Sequence, residues 1–482
     1  MNFNSIEFFL FIPLVFLGLT LAPKRLAWLV LLAGSGYFYL TLKQPLLLVI
    51  LVLVSGVSYL CGIVLGRTTG AEKRRMVFWS AIAANLLVLI GMKYLPFLAA
   101  NLNSLSKILQ LGKTVPQPPP LVAIGVSYFV FQAISYLIDV YWRLQEPERH
   151  PGIFALYLSF FPKLLQGPIE RAGDLLPQLK VPFRFDPDNL RIGLLTFAWG
   201  LFKKAVIADR LALYVNAAYG DLPGHAGLPL LIATYLYALQ IYYDFSGYTD
   251  MALGSARMFN ISLTQNFRTP YLATSVTDFW RRWHISFSRW ILDYLFRPLQ
   301  MQWRNLRQTG TVAALIVTFL LSGLWHGASW CFVVWGGLHG LYLAGSVVGK
   351  PLKKKLRLRY GLERNRWYGL WQILLTFHLV CLAWIFFRSP TIGDAWFVVT
   401  HLVGNTKNAL NFLLSRGVTE LVIVSVSLAI LWTVWWVRER MLSERDFFAA
   451  PEWFRWSIYG VLAALLLLFT SDSNTGFIYF QF

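Results

Sequence analysis

Long apolar stretches separated by short polar ones run along the whole chain, at 5–22, 26–42, 46–65, 76–100, 121–141, 194–215, 226–248, 311–325, 328–348, 367–387, 418–437 and 457–470. Most have the ~17–25 residues that carry an α-helix across ~30 Å of hydrocarbon. The pattern predicts an all-α, polytopic transmembrane helical bundle of about eleven or twelve spans. One membrane domain is expected over 1–482, with N-terminal spans in 1–120, a motif-bearing core in 121–350 and C-terminal spans in 351–482. Segments 142–193 and 249–310 are too apolar for loops and too interrupted for spans. Re-entrant or interfacial helices buried against the bundle are expected there, because backbone groups at membrane depth must find partners in protein. Residues 116–120, rich in proline, read as a short stiff linker. No internal repeat is evident, which weakens an inverted-repeat transporter reading.

A continuous helix over 311–348 would be about 57 Å long, far more than one crossing. A break is expected in Ser322-Gly-Leu-Trp-His-Gly327. Its first arm of about 15 residues, ~22 Å, would leave His326 partway into the bilayer from the outer side.

Composition excludes a string of soluble domains: 57% of the residues are hydrophobic and 14% charged. The first apolar run has no basic residue before it and no cleavable small-residue site, so it is expected to stay as a span. Cys61, Cys331 and Cys381 lie scattered in apolar runs without metal-ligand spacing, so they read as packing residues and no metal is expected. A net charge of +20 could suggest nucleic acid, but in a membrane protein the distribution decides. With the N-terminus outside, most Lys and Arg fall on inward segments, including Lys24, Arg25, Arg67, 73–75 and the cluster in 350–366. That orientation is therefore predicted, with lipid headgroups rather than nucleic acid as the surface partner.

Candidate chemistry gathers in two places, Phe279-Trp-Arg-Arg-Trp-His-Ile-Ser-Phe-Ser-Arg-Trp290 and Leu324-Trp-His-Gly327. An ionisable group at membrane depth costs roughly 2.5 kcal/mol or more, so it marks a functional site by default. Over 275–294 the spacing predicts a helix capped by Ser275 with Asp278, carrying one stripe of Trp280, Trp283, Phe287, Trp290 and Tyr294. Arg281, Arg282 and Arg289 lie on another side. An interfacial helix with arginines at the headgroups accounts for the pattern. The sharper reading sets His284 beside a cationic face that binds a cytosolic polyphosphate through Arg281, Arg282, Trp283 and Arg289. Coenzyme A is the obvious polyphosphate that carries an acyl group. His326 either lines a wet cavity or is hydrogen-bonded in the core; the helix break and Trp325 beside it favour a reactive site. His339 and His378 read as structural, and His150, His225 and His401 as loop residues.

Asp244 and Asp250 could orient a histidine, bind a cation, or pair with Arg281 or Arg282. Pairing is expected, because unpaired charge at that depth is expensive. Lys203 and Lys204 are expected to be paired or to snorkel. No phosphate-cradling glycine loop, zinc-ligand spacing or Gly-x-Ser-x-Gly nucleophile turn occurs.

At these residues the chain resembles the membrane-bound O-acyltransferases, in particular the bacterial AlgI-like branch that O-acetylates alginate and other polysaccharides. The resemblance runs through Gly125-Val-Ser-Tyr-Phe-Val-Phe-Gln132, Tyr136-Leu-Ile-Asp-Val-Tyr141, Phe160-Phe-Pro-Lys-Leu164, Gly167-Pro168 and Gly200-Leu-Phe-Lys-Lys204. It continues in Asp244-Phe-Ser-Gly-Tyr-Thr-Asp250, Asn266-Phe-Arg-Thr-Pro-Tyr271, the two histidine motifs and Phe477-Ile-Tyr-Phe-Gln-Phe482. D-alanyl-transfer proteins of Gram-positive walls are similar mainly in the second half. The resemblance implies that His326 is the essential histidine and His284 the second. It also implies acetyl-CoA as donor substrate with no bound cofactor, and a funnel through thinned membrane. The expected location is the bacterial cytoplasmic membrane, with an extracytoplasmic partner protein that places acetyl on a polysaccharide. His326 would act as a general base or as a transient acetyl carrier. Alternatives are a proton-coupled transporter or flippase, and an acyltransferase of the same superfamily acting on a lipid or wall polymer. Ionisable residues gathered at the inner surface, with His326 alone deeper, fit a reaction site better than a relay.

Overall fold

The computed structural model describes residues 1–119, 125–362, 365–404, 408–440, 449–470 and 476–478. Pro120, the start of the 121–141 run and the terminal 479–482 of the last motif lie outside them. The described residues form helices and no strand. Among the described residues, six helices are long and apolar enough to cross a membrane: Pro45–Arg67, Ala71–Ile108, Arg304–His326, Trp330–Val348, Arg366–Arg388 and Glu452–Phe469. Ile6–Leu21, Val126–Tyr141 and Val418–Val434 are apolar but shorter.

The twelve expected runs are thus not twelve equivalent spans. The runs at 194–215 and 226–248 lie in the Pro187–Leu201 and Asp209–Gly220 helices and in the 31-residue Leu228–Met258 helix. Their apolar sequence is interrupted by Lys203, Lys204, Asp209, Asp244 and Asp250, which pair with one another (below). Two facing glycine pairs fasten these helices. A Cβ on Gly193 would lie 2.7 Å from the carbonyl oxygen of Gly254, and one on Gly247 2.7 Å from that of Gly200. Backbones this close leave no room for side chains, the small-residue mode of helix packing.

At the centre stands Val126–Tyr141, in which every residue from Val126 to Val140 is buried. A helix apolar on all sides belongs inside a bundle. Its start needs Gly125, whose φ of +76° and 2.8 Å approach of a Cβ to the Leu164 carbonyl exclude a side chain. The 142–193 segment supplies short helices, Pro151–Ser159, Phe161–Leu164 and Ala172–Leu179, tucked against the bundle with Phe160, Phe161 and Leu164 fully enclosed. A smaller apolar cluster joins Phe202, Val206, Ile207 and Leu211 to Val424, Leu431 and Leu462.

The chain's two ends meet at Tyr248. Phe3 stacks on it at 4.8 Å and Phe477 abuts it at 4.9 Å. The backbone N–H of Ile478 donates to Asp244 Oδ2 at 3.0 Å.

Two expectations about the histidine segments are corrected. The 275–294 stretch is not one helix: Val276–Arg282 and Ile285–Ile291 are separate, joined at Trp283 and His284. The arm before the break beside His326 spans 20 residues, Arg307–His326, about 30 Å long, because the helix starts four residues earlier, at Arg307, and runs through His326. Its length therefore gives no ground for placing His326 partway across. The break falls after His326, at Gly327, and Ser329 Oγ accepts from Cys331 N–H at 3.3 Å to start Trp330–Val348. The two arms pack so tightly that a Cβ on Gly323 would strike the Phe332 carbonyl, and one on Gly336 the Phe319 carbonyl.

Candidate active site

The first histidine is placed by a strained joint. Ser275 caps the preceding helix as the sequence indicates, its Oγ accepting from Asp278 N–H at 3.1 Å. The Asp278 carboxylate accepts from Thr274 N–H at 3.2 Å and from Arg282 Nε at 2.9 Å. The backbone then turns, and His284 takes φ +43°, ψ +57°. That left-handed conformation is uncommon for a residue with a Cβ and persists only where its surroundings enforce it. Asn266 enforces it here: its carbonyl accepts from Ile285 N–H at 2.9 Å and its side-chain Oδ1 from Ser286 N–H at 3.1 Å. Arg268 N–H donates to the Arg282 carbonyl at 2.9 Å, and Ile169 N–H to Ser286 Oγ at 3.0 Å.

The joint turns the His284 imidazole into the protein, where it is completely buried. Its ring lies 4.8 Å from Phe245, 5.1 Å from Phe287 and 6.2 Å from Trp325. Neither ring nitrogen has a protein hydrogen-bond partner among the described residues, nor do Tyr128 Oη, the Gln166 side-chain amide, Ser246 Oγ and Asn266 Nδ2. A buried polar atom left unsatisfied costs about 1–3 kcal/mol. The two enclosed nitrogens of His284, with the Tyr128 ring 6.4 Å away, suit a site built to receive a polar guest.

His326 ends its helix against the same aromatic pair that His284 meets. Phe287 and Trp325 stack at 4.3 Å, and His326 meets Phe287 at 5.6 Å and Trp325 at 4.8 Å. Trp335 at 4.7 Å and Phe387 at 5.4 Å enclose it further. His284, His339 and Lys93 lie within electrostatic reach of it. The structure thus brings together two histidines 42 positions apart, on separate helices, around one pair of rings. His339 is structural in its contacts, its Nδ1 accepting from Trp280 Nε1 at 3.2 Å. His378 is likewise engaged, Nε2 with the Tyr235 hydroxyl at 2.9 Å.

The arginine face separates from His284. Arg281 and Arg289 are exposed and Arg282 pairs with Asp278, whereas Trp283 is buried between Phe279 and Trp384. The carboxylates also have other partners than expected. Asp244 pairs with Lys204 at 2.5 Å, Asp209 with the same lysine at 2.8 Å, and Asp250 with Lys203 at 2.6 Å. The glycine-paired helices bring these charges together far more closely than any route to Arg281 or Arg282. Asp244 therefore pairs with Lys204 instead of orienting an imidazole, and its neighbour Phe245 supplies the ring against His284.

Sequence reading missed Lys93 and Tyr94. Lys93 Nζ donates to the Trp325 carbonyl at 2.6 Å and to that of His326 at 3.0 Å, and Tyr94 Oη to the Leu324 carbonyl at 2.8 Å. The signal was present: a lysine inside an apolar run is itself an intramembrane charge.

The family model of the membrane-bound O-acyltransferases matches residues 126–387, from the buried central helix through both histidines to Phe387 beside His326. The chain belongs to the membrane-bound O-acyltransferase family. This acyltransferase is 33% identical to the probable alginate O-acetylase AlgI of Azotobacter vinelandii, over 93% of this chain and 86% of that protein. It is 32% identical to the peptidoglycan O-acetyltransferase of Helicobacter pylori, over 83% and 80% of the two chains. With the teichoic acid D-alanyltransferase of Bacillus subtilis it shares 26% identity, over 65% of this chain and 78% of that protein. In this acyltransferase the matched region contains the whole aromatic enclosure of His284 and His326.

Proposed function

We propose that this acyltransferase takes acetyl from cytosolic acetyl-CoA and passes it across the bacterial cytoplasmic membrane toward O-acetylation of an extracytoplasmic polysaccharide. The observation that carries this reading is the pair of buried imidazoles that both lie against Phe287 and Trp325. His326 accepts the proton of an incoming hydroxyl as that oxygen attacks the thioester carbonyl; the C–S bond breaks and the proton passes to the leaving thiolate. His284, whose ring lies against the same Phe287 and Trp325, donates its N–H to the carbonyl oxygen as negative charge gathers there. The aromatic walls keep water from competing for the acetyl group. Arg281, Arg282 and Arg289, on the polar side of the joint, meet the donor's phosphates, for which a guanidinium is well suited. Trp283 serves the same end by fixing the joint.

With the N-terminus outside, the basic segments face the cytosol and the charged coenzyme never crosses. The outward segments are too short to fold into a glycan-binding domain, so a separate extracytoplasmic protein receives the acetyl group. Relatives named for O-acetylation of alginate and of peptidoglycan support a polymer as final acceptor.

Two measurements test this. Cells carrying the protein should contain O-acetylated surface glycan that is lost on deletion and regained on re-expression; an unchanged acetyl content defeats the proposal. Cysteines placed at Ser104 and Lys355 and treated with a membrane-impermeant maleimide test direction. Labelling at position 104 alone is expected in intact cells, and labelling at 355 alone reverses the topology.

A further inference from the structure

The helix that ends at His326 presents its last carbonyls to a neighbouring helix. The final four carbonyls of any α-helix lack partners within it. Here three consecutive ones, of Leu324, Trp325 and His326, accept hydrogen bonds from two adjacent side chains, Tyr94 and Lys93. Both residues lie in Ile90–Tyr94, a π-turn inside the Ala71–Ile108 helix. Such turns recur at functional sites. Further along the same helix Asn101 Oδ1 accepts from Trp330 Nε1 at 2.9 Å, and the Phe97 ring lies 5.9 Å from that of Trp330. One helix therefore grips the whole turn 324–330 that carries His326. The ammonium is also the favourable charge for a helix C-terminus.

We propose that Lys93 is a positioning residue for acyl transfer: by holding the Trp325 and His326 carbonyls it fixes the direction in which the His326 imidazole faces His284. This rests on the reading of His326 as the reacting histidine. Lys93 touches the backbone of the histidine and none of the reacting atoms, so its loss should appear in turnover and not in donor binding.

The test is steady-state kinetics of the full-length enzyme in proteoliposomes with acetyl-CoA, for Lys93→Met, Lys93→Arg and Tyr94→Phe. Lys93→Met should lower kcat about 10- to 100-fold with KM for acetyl-CoA within about twofold, the signature of an interaction absent from substrate binding. Lys93→Arg should restore kcat to within about fivefold of wild type, because guanidinium also offers several N–H donors. Tyr94→Phe should lower kcat about two- to fivefold. Wild-type kcat in Lys93→Met overturns the proposal, as does a raised KM at unchanged kcat, or an arginine variant no better than the methionine one. If Lys93→Met does not accumulate in the membrane, Tyr94→Phe decides, and an unchanged kcat there overturns it. His326→Ala, assayed alongside, separates the two readings. An active alanine variant removes the reacting histidine itself, whereas an inert one with a normal Lys93→Met removes only the positioning role.

Discussion

Replacing His326 with alanine should lower acyl transfer by about 10²–10⁴-fold, the usual contribution of a positioned general base. The protein should still insert and accumulate. The Trp325 carbonyl stays held by Lys93, and Trp335 and Phe387 keep their 5.3 Å contact with each other, so the enclosure survives the missing ring. Transfer of radiolabelled acetyl from acetyl-CoA by purified protein, matched for quantity, measures the effect. Wild-type rates in the variant would remove His326 from the chemistry. His339→Ala is the informative comparison, because that imidazole already receives the Trp280 N–H. It should cost less turnover and more stability.

The second large effect should fall on folding. Asp244→Ala leaves Lys204, almost wholly buried, with Asp209 as its remaining carboxylate and leaves the Ile478 N–H without its acceptor. Breaking a buried ion pair from one side costs about 3–5 kcal/mol, because the surviving charge stays in a medium that does not solvate it. Asp209 should hold the loss to the lower end of that range. A thermal unfolding curve in detergent should show a clear fall in Tm, with Asp244→Asn, which keeps the shape and the acceptor oxygen, in between. An unchanged Tm for the alanine variant would mean that the Lys204 node contributes little to the assembled bundle.

The apolar runs and the cap at Ser275 were legible because each is a local property of the chain. So was a break beside His326, which follows from length alone; for Lys203 and Lys204 the cost of buried charge left pairing and snorkelling open, and the structure shows pairing. The joint at His284 was hidden for a physical reason. Trp283, Phe287, Trp290 and Tyr294 keep helical spacing across it, so periodicity alone continues through a turn that Asn266 imposes from outside the segment. The partner of Asp244 was equally out of reach. Choosing Lys204 over an arginine depends on how closely Gly193, Gly200, Gly247 and Gly254 let two helices approach. The hold of Lys93 on His326 joins residues 233 apart, and no local pattern announces a contact of that range.

The meeting of Phe3 and Phe477 at Tyr248 sets an order of events during synthesis. Phe3 is made before Tyr248, and Ile478 follows Asp244 by 234 positions. At roughly 5–20 residues per second that interval is on the order of ten to fifty seconds. Throughout it, Tyr248 can already have its early neighbour Phe3 while the face that later takes Phe477 is open. The charge node at Asp244 must also wait for its last donor. The nascent enzyme therefore matures through a late docking step at its centre, made by a segment that emerges after both histidines are already in the membrane.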